Sequence, residues 1–142
     1  MNVYAESSAV LAWLLGEALT AQVREVLQRA EIVVASELTL VEVDRVLVRS
    51  LALGESTEAA TAARRAQMQE AASRWQVLHV TDGIMARARR AFPSEPVRTL
   101  DALHLASALE AAAAVSGLEL LSLDARVRRS GELLGFRLQP LG

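Results

Sequence analysis

The chain has no cysteine and no lysine; all 15 of its basic residues are arginine. Without cysteine there is no disulfide, no thiolate nucleophile and no Cys-based zinc site. Any metal is left to oxygen ligands or to the 2 histidines, His79 and His104, and hard divalent ions become the default. Without lysine there is no P-loop lysine on a phosphate, no Schiff-base amine and no lysine beside a receiver-type acidic pocket. A Gly-x-Gly-x-x-Gly fingerprint is missing from the first strand-to-helix turn. No run of about eighteen apolar residues occurs, and the N-terminus lacks a basic segment followed by an apolar stretch and a cleavage site. The expectation is a soluble, unexported, cytoplasmic protein without membrane contact. A formal net charge of −2 is not that of a protein that coats nucleic acid through bulk electrostatics. Any nucleic-acid contact is therefore local, and arginine suits phosphate, although all-arginine, alanine-rich usage is also what codon bias in a GC-rich genome produces.

What is present is an alternating pattern. The 142 residues, 52% hydrophobic and 23% charged, are enough to bury a core and read as one domain, 1–142. Strand-like runs fall at Val3–Tyr4, 31–36 ("EIVVAS"), 76–80 ("QVLHV") and 118–123 ("LELLSL"), with a weaker run at 136–140 ("FRLQP"). Helical spacing fills the intervals: "SSAVLAWLLGE" up to Gly16 and its neighbour, 20–30, 36–54 from Ser36 to Gly54, 56–75, 81–92 before Pro93, 99–117 and 124–135. There is no repeat, low-complexity tract or linker, and the loop Pro93–Arg98 is too short to divide domains. Strands alternating with helices predict an α/β fold of βαβ units, with a mainly parallel sheet covered on both faces.

In such a sheet ligands bind at the carboxyl edge of the strands, where loops and helix N-termini converge. Four acids are expected there. Glu6 ends the first apolar run before a Ser-led helix, and Asp124 repeats that situation after "LELLSL". Asp101 lies in the first turn of the helix after the Pro93–Arg98 loop, and Glu42 in the first two turns of the 36–54 helix. Singly, each has a plain explanation. Glu6 suits a capping or solvated acid, and Glu42 an ion-pair ladder with Arg45 and Arg49. Asp101 and Asp124 are favourable helix-start charges. Gathered, four carboxylates repel and persist mainly where a divalent cation neutralises them. An acidic oxygen cluster of this kind suits Mg²⁺ or Mn²⁺ and phosphoryl chemistry, with Arg45, Arg49 or Arg98 available to hold flanking phosphates.

The segments "YAESSAVLAWLLGE", "SELTLVEVDRVL", "VRTLDALHLASAL" and "LLSLDARVRRSGELLGF", in that order and across nearly the whole chain, resemble the PIN-domain family, and within it the VapC-type toxins of bacterial toxin–antitoxin pairs. The third segment is the most specific and the first the least, because the family opens with aspartate where this chain has Glu6. The resemblance implies a three-layer α/β/α sandwich and a metal-dependent endoribonuclease, usually a homodimer, inhibited by a cognate VapB-type antitoxin. By position it assigns Glu6, Glu42, Asp101 and Asp124 to the acidic metal-binding and catalytic set, and Ser8 to the Ser or Thr that follows the first acid by two. Arg45 and Arg98 join Ser8 as substrate-binding candidates. Glu6 in place of aspartate keeps the charge but lengthens the side chain by one methylene, which requires a re-arranged, direct or water-mediated contact to the ion.

Two other functions remain open at this stage. One is a catalytically weak PIN-like binding module, suggested by Glu6. The other is an acid-lined phosphotransfer protein, against which the missing lysine and the helix-start position of Asp101 both argue. His104 is expected to be a packed, hydrogen-bonded histidine, and His79 a structural one within its strand. Trp13 and Trp75 read as core or interface aromatics rather than base-stacking platforms. Leu11, Leu14 and Leu15 around Trp13 belong mostly to a core, with part of a dimer or antitoxin surface as the alternative.

Overall fold

The computed structural model describes residues 1–142. Strand β1 (Asn2–Ala5) leads into α1 (Ser7–Leu15) and α2 (Thr20–Arg29), then β2 (Ile32–Ser36), α3 (Glu37–Ala52) and α4 (Glu58–Arg74). Strand β3 (Gln76–Leu78), α5 (Asp82–Ala88), α6 (Thr99–Ala114), β4 (Leu118–Leu121), α7 (Ala125–Leu133) and β5 (Leu138–Gln139) complete the chain. The five strands form one sheet in the order β3-β2-β1-β4-β5, and every pairing is parallel. This is the α/β/α sandwich that the alternating pattern and the resemblance imply.

The strands are apolar on both sides because both faces are covered, and their alternation splits the core in two. Val3, Ala5, Val33 and Leu121 point to one layer, where they meet Val10 and Leu14 of α1, Val23 of α2, Val43 and Leu47 of α3, and Met68 of α4. Tyr4, Val34 and Leu120 point to the other, against Ala102, Leu105 and Ala108 of α6 and Val127 of α7. Trp13 and Trp75 pack against the first core with ring centroids 6.0 Å apart. Helix α7 lies so close to the sheet that a Cβ on Gly131 would collide with Leu120 Cδ2.

The strand order places the site. From β1 the chain moves outward to β2 and β3, then returns to the other side of β1 for β4 and β5. The order therefore reverses between β1 and β4, and the crevice outside the carboxyl ends of those two strands is where an open α/β sheet binds its ligand. Glu6 directly follows β1, and Asp124 follows β4 by three residues.

Strand β3 is shorter than its apolar run. β3 stops at Leu78 because the side chain of Glu37, at the start of α3, accepts the Val80 amide at 2.6 Å and turns the chain away from the sheet. His79 consequently lies beyond the strand, with its side chain 87% exposed and its Nδ1 3.2 Å from the same Glu37 carboxylate. It is a surface residue, not a strand residue.

Candidate active site

Glu6 is the most enclosed of the four acids, 3% exposed. It is the N-cap of α1, accepting the Ser8 amide, and its carboxylate is tied down by hydroxyls on either side of the crevice. Ser7 Oγ donates to Oε1 at 2.9 Å; Ser8 Oγ and, at 2.8 Å, Ser122 Oγ both donate to Oε2. Ser8 Oγ in turn accepts the amides of Leu123 and Asp124 at 2.9 and 3.2 Å. A buried carboxylate needs such donors. Here they also sew the end of β1 to the turn after β4.

Glu42 does not join a surface ladder with Arg45 and Arg49. Its Oε1 lies 2.6 Å from Nε2 of His104, which is 1% exposed on α6. An ionised carboxylate only accepts, so Nε2–H donates to Glu42. The Nδ1 of the neutral ring then accepts from the Tyr4 hydroxyl at 3.0 Å. Burial pushes the Tyr4 phenol well above its usual range, with the Ser107 hydroxyl pulling the other way and the charges of Glu6 and Glu42 adding to the rise. The phenol thus keeps the proton it donates. Ser7 Oγ, 3.5 Å from His104 Nε2, connects this chain to Glu6.

Asp101 and Asp124 face each other across one guanidinium. Arg98 Nε is 3.1 Å from Asp101 Oδ2, and a terminal nitrogen of Arg98 is 3.6 Å from Asp124 Oδ2. The hydrogen bond it donates to Asp101, then the charges of Asp101, Asp124 and Glu6, hold the Arg98 guanidinium above its ordinary pKa. Asp124 is also the N-cap of α7, but with the other oxygen: Oδ1 accepts the amides of Arg126 and Val127 at 2.9 and 3.0 Å. Its Oδ2 is left for the crevice. The plain helix-start role and the site role coexist on one side chain.

All four acids thus belong to one continuous network at the β1/β4 edge, although no three of them gather within a single coordination sphere. The donor set still fits a hard divalent ion. Mg²⁺ is commonly bound by one or two carboxylates plus water and substrate phosphate rather than by a full protein cage. Asp101 and Asp124 already enclose one cationic group whose side chain is 62% exposed and has room to move. Among the substrate-binding candidates, the Ser8 hydroxyl is spent within the network, Arg98 lies between the aspartates, and Arg45 is exposed on α3 without an ion-pair partner.

Sequence alone does not single out Ser7, Ser122 and Tyr4. Ser122 is accessible to pattern, since "SLD" after β4 sets a serine two residues before an acid as "ESS" after β1 sets one two residues behind. Tyr4 has only its alternation with Val3 and Ala5 to show that it faces α6.

The family model described as PIN domain matches residues 3–133. Among solved structures, the chain superposes on VapC20 of Mycobacterium tuberculosis, described as a sarcin-ricin-loop-cleaving toxin, with a TM-score of 0.66 at 18% identity over 91% of this chain and 95% of that one. It matches VapBC2 of Rickettsia felis, solved with a promoter DNA fragment, with a TM-score of 0.62 at 9% identity over 98% of both chains. DNA-bound VapBC of Salmonella typhimurium gives 0.58 at 16% identity over 98% of this chain and 97% of that one. No curated protein matches the sequence.

Proposed function

From the premise that the chain belongs to the PIN-domain family, we propose that it is a metal-dependent endoribonuclease, and the toxin of a type II toxin–antitoxin pair. The observation that carries this reading is the pair Asp101 and Asp124 facing one cation at the strand-order reversal. The neighbours add support: one is described as a loop-cleaving toxin and two as VapBC assemblies. Residues 1–142 act as one PIN unit in the cytoplasm, as a homodimer held in check by a VapB-type antitoxin; no helix is long and apolar enough to cross a membrane.

Asp101 and Asp124 would hold Mg²⁺ or Mn²⁺, with Glu6 and Glu42 reaching it directly or through water. Bound there, a divalent ion supplies charge neutralisation and acidified water. The remaining work falls to the chain's own groups. Arg98 leaves the aspartates for a non-bridging oxygen of the phosphodiester, which its planar fork suits. His104 holds Glu42 by Oε1, so Oε2 is free to take the proton of the attacking water. As the new P–O bond forms, the P–O bond to the ribose oxygen on the far side breaks, and that oxygen takes its proton from solvent water. Ser8 and Ser122 hold the Glu6 carboxylate in place by donating to its Oε2.

The test is cleavage of a labelled single-stranded RNA by the purified protein with Mg²⁺, Mn²⁺ or EDTA. Cleavage confined to the metal-containing reactions, and abolished in Asp101→Asn, is expected; wild-type rates in that variant would sink the assignment. Glu6→Gln should weaken Mn²⁺ binding and Glu6→Asp retain or improve it. The same chain expressed in a bacterium should arrest growth, and co-expression of the product of an adjacent small reading frame should restore it. One observation favours a second reading, a catalytically weak binding module: Glu6 replaces aspartate, and its Oε2 already accepts three hydrogen bonds. Normal Mn²⁺ affinity without cleavage would select that alternative.

A further inference from the structure

Beside the acids, on the α6/α7 side, lies a cleft of about 320 Å³. Its size is at the small end of ligand-binding clefts, roughly 300–1,000 Å³. Its floor is Val97, Leu105 and Val127, and its rim carries Arg98, Arg126 and Arg129. Arg126 and Arg129 are one turn apart on α7 and so share a face. Both are exposed, and neither is paired with a carboxylate. The acidic residue at this rim besides Asp101 is Glu95, whose two oxygens accept the amides of Phe92 and Val97 at 2.7 and 2.8 Å and are turned into their own loop. The combination is specific: an apolar floor of three side chains, two uncommitted guanidinium groups above it, and a third that reaches from the cleft to the aspartates.

We infer that this cleft seats the nucleotide next to the scissile phosphate of a single-stranded RNA, with its phosphate on Arg126 and Arg129 and its base or ribose on Val97, Leu105 and Val127. The inference rests on the proposed nuclease reading and names a part of its substrate that the acids do not address. A guanidinium fork binds phosphate bidentately, and single strands bind where a positive groove tracks the backbone and an apolar surface takes the base. A duplex keeps its bases stacked and paired, so it has no free nucleotide to insert. Arg98 becomes the hinge between the two parts, leaving Asp101 and Asp124 for the phosphate as the neighbouring nucleotide settles.

The experiment measures binding of a fluorescent single-stranded RNA oligonucleotide, and of its duplex, by anisotropy in EDTA. It compares wild type, Arg126→Gln/Arg129→Gln, and the charge-matched Arg24→Gln/Arg74→Gln, which lies at the opposite edge of the sheet beside Glu31 and Val33. The first double variant should bind the single strand at least about tenfold more weakly, the effect of losing one charge-assisted hydrogen bond. Its salt-dependence slope should fall by about 0.7, the amount expected when one phosphate fewer is neutralised. The control should change little, and Mn²⁺ affinity should be the same in all three. With Mg²⁺ present, KM for RNA should rise in the first variant while kcat holds. Equal RNA affinity in the two double variants would overturn the proposal, as would wild-type binding of duplex as tight as of single strand. Loss of affinity without any metal-dependent cleavage would remove the nuclease and leave the cleft standing; cleavage with KM unmoved would do the reverse.

Discussion

Asp124 divides its two oxygens between the cap of α7 and the crevice, and substitutions can separate the two contacts. Asparagine caps a helix about as well as aspartate, whereas alanine costs about 1 kcal/mol. Asp124→Asn should therefore keep the urea midpoint of the parent and lose RNA cleavage, while Asp124→Ala should lose both. Tyr4 offers a second handle, because it is the 1 tyrosine in the chain and its phenolate absorbance is read alone. Burial holds its proton in the folded state above the ordinary value of 10.0 at which the unfolded chain releases it. Its contribution to stability is fully present below pH 10 and is lost as the pH rises beyond it. Titration should show no phenolate until the protein unfolds, and Tyr4→Phe should flatten that alkaline loss, at about 1 kcal/mol of stability at neutral pH for the missing hydrogen bond to His104. The acids themselves are legible as residue types after strands and at helix starts. Their partners are not, since Ser122 reaches Glu6 across 116 positions and His104 reaches Glu42 across 62, and no local periodicity encodes such pairings.

The elements follow the sequence pattern more closely, because helical and strand periods are local properties. All seven helices and four of the five strands lie within the runs that caps, glycines and apolar spacing mark out, and β1 extends its run by one residue at each end. The early end of β3 comes from the Glu37 side chain capturing the Val80 amide, a contact between separate elements. Helix α7 carries a further constraint that its spacing does not reveal, the close approach of Gly131 to Leu120. Valine and glycine differ by only a few tenths of a kcal/mol in helix propensity, so Gly131→Val reads the packing. Overfilling a dense core costs about 1–3 kcal/mol, and the denaturation midpoint should fall accordingly. Because α7 also presents Asp124, Arg126 and Arg129, RNA binding in that variant should weaken with it.

For the molecule as a whole, a cation held between Asp101 and Asp124 binds the folded state alone, since those side chains come together only when α6 and α7 are both docked. Mn²⁺ should therefore raise the melting temperature, by the equivalent of about 2.7 kcal/mol at a hundredfold excess over the dissociation constant. Asp101→Asn should abolish the increase. The central position of β1 has another consequence, in time rather than in space. The first strand made is the one that must lie between β2 and β4, and Glu6 finds Ser122 only after the intervening 116 positions have been synthesised. At about 5–20 residues per second, that interval is roughly 6–23 s. Throughout it the nascent chain lacks Asp124, and for most of it Asp101 as well. A chain cut short before β4 never brings its four acids together, so the network at the crevice closes only after β4 and the turn that follows it have been made.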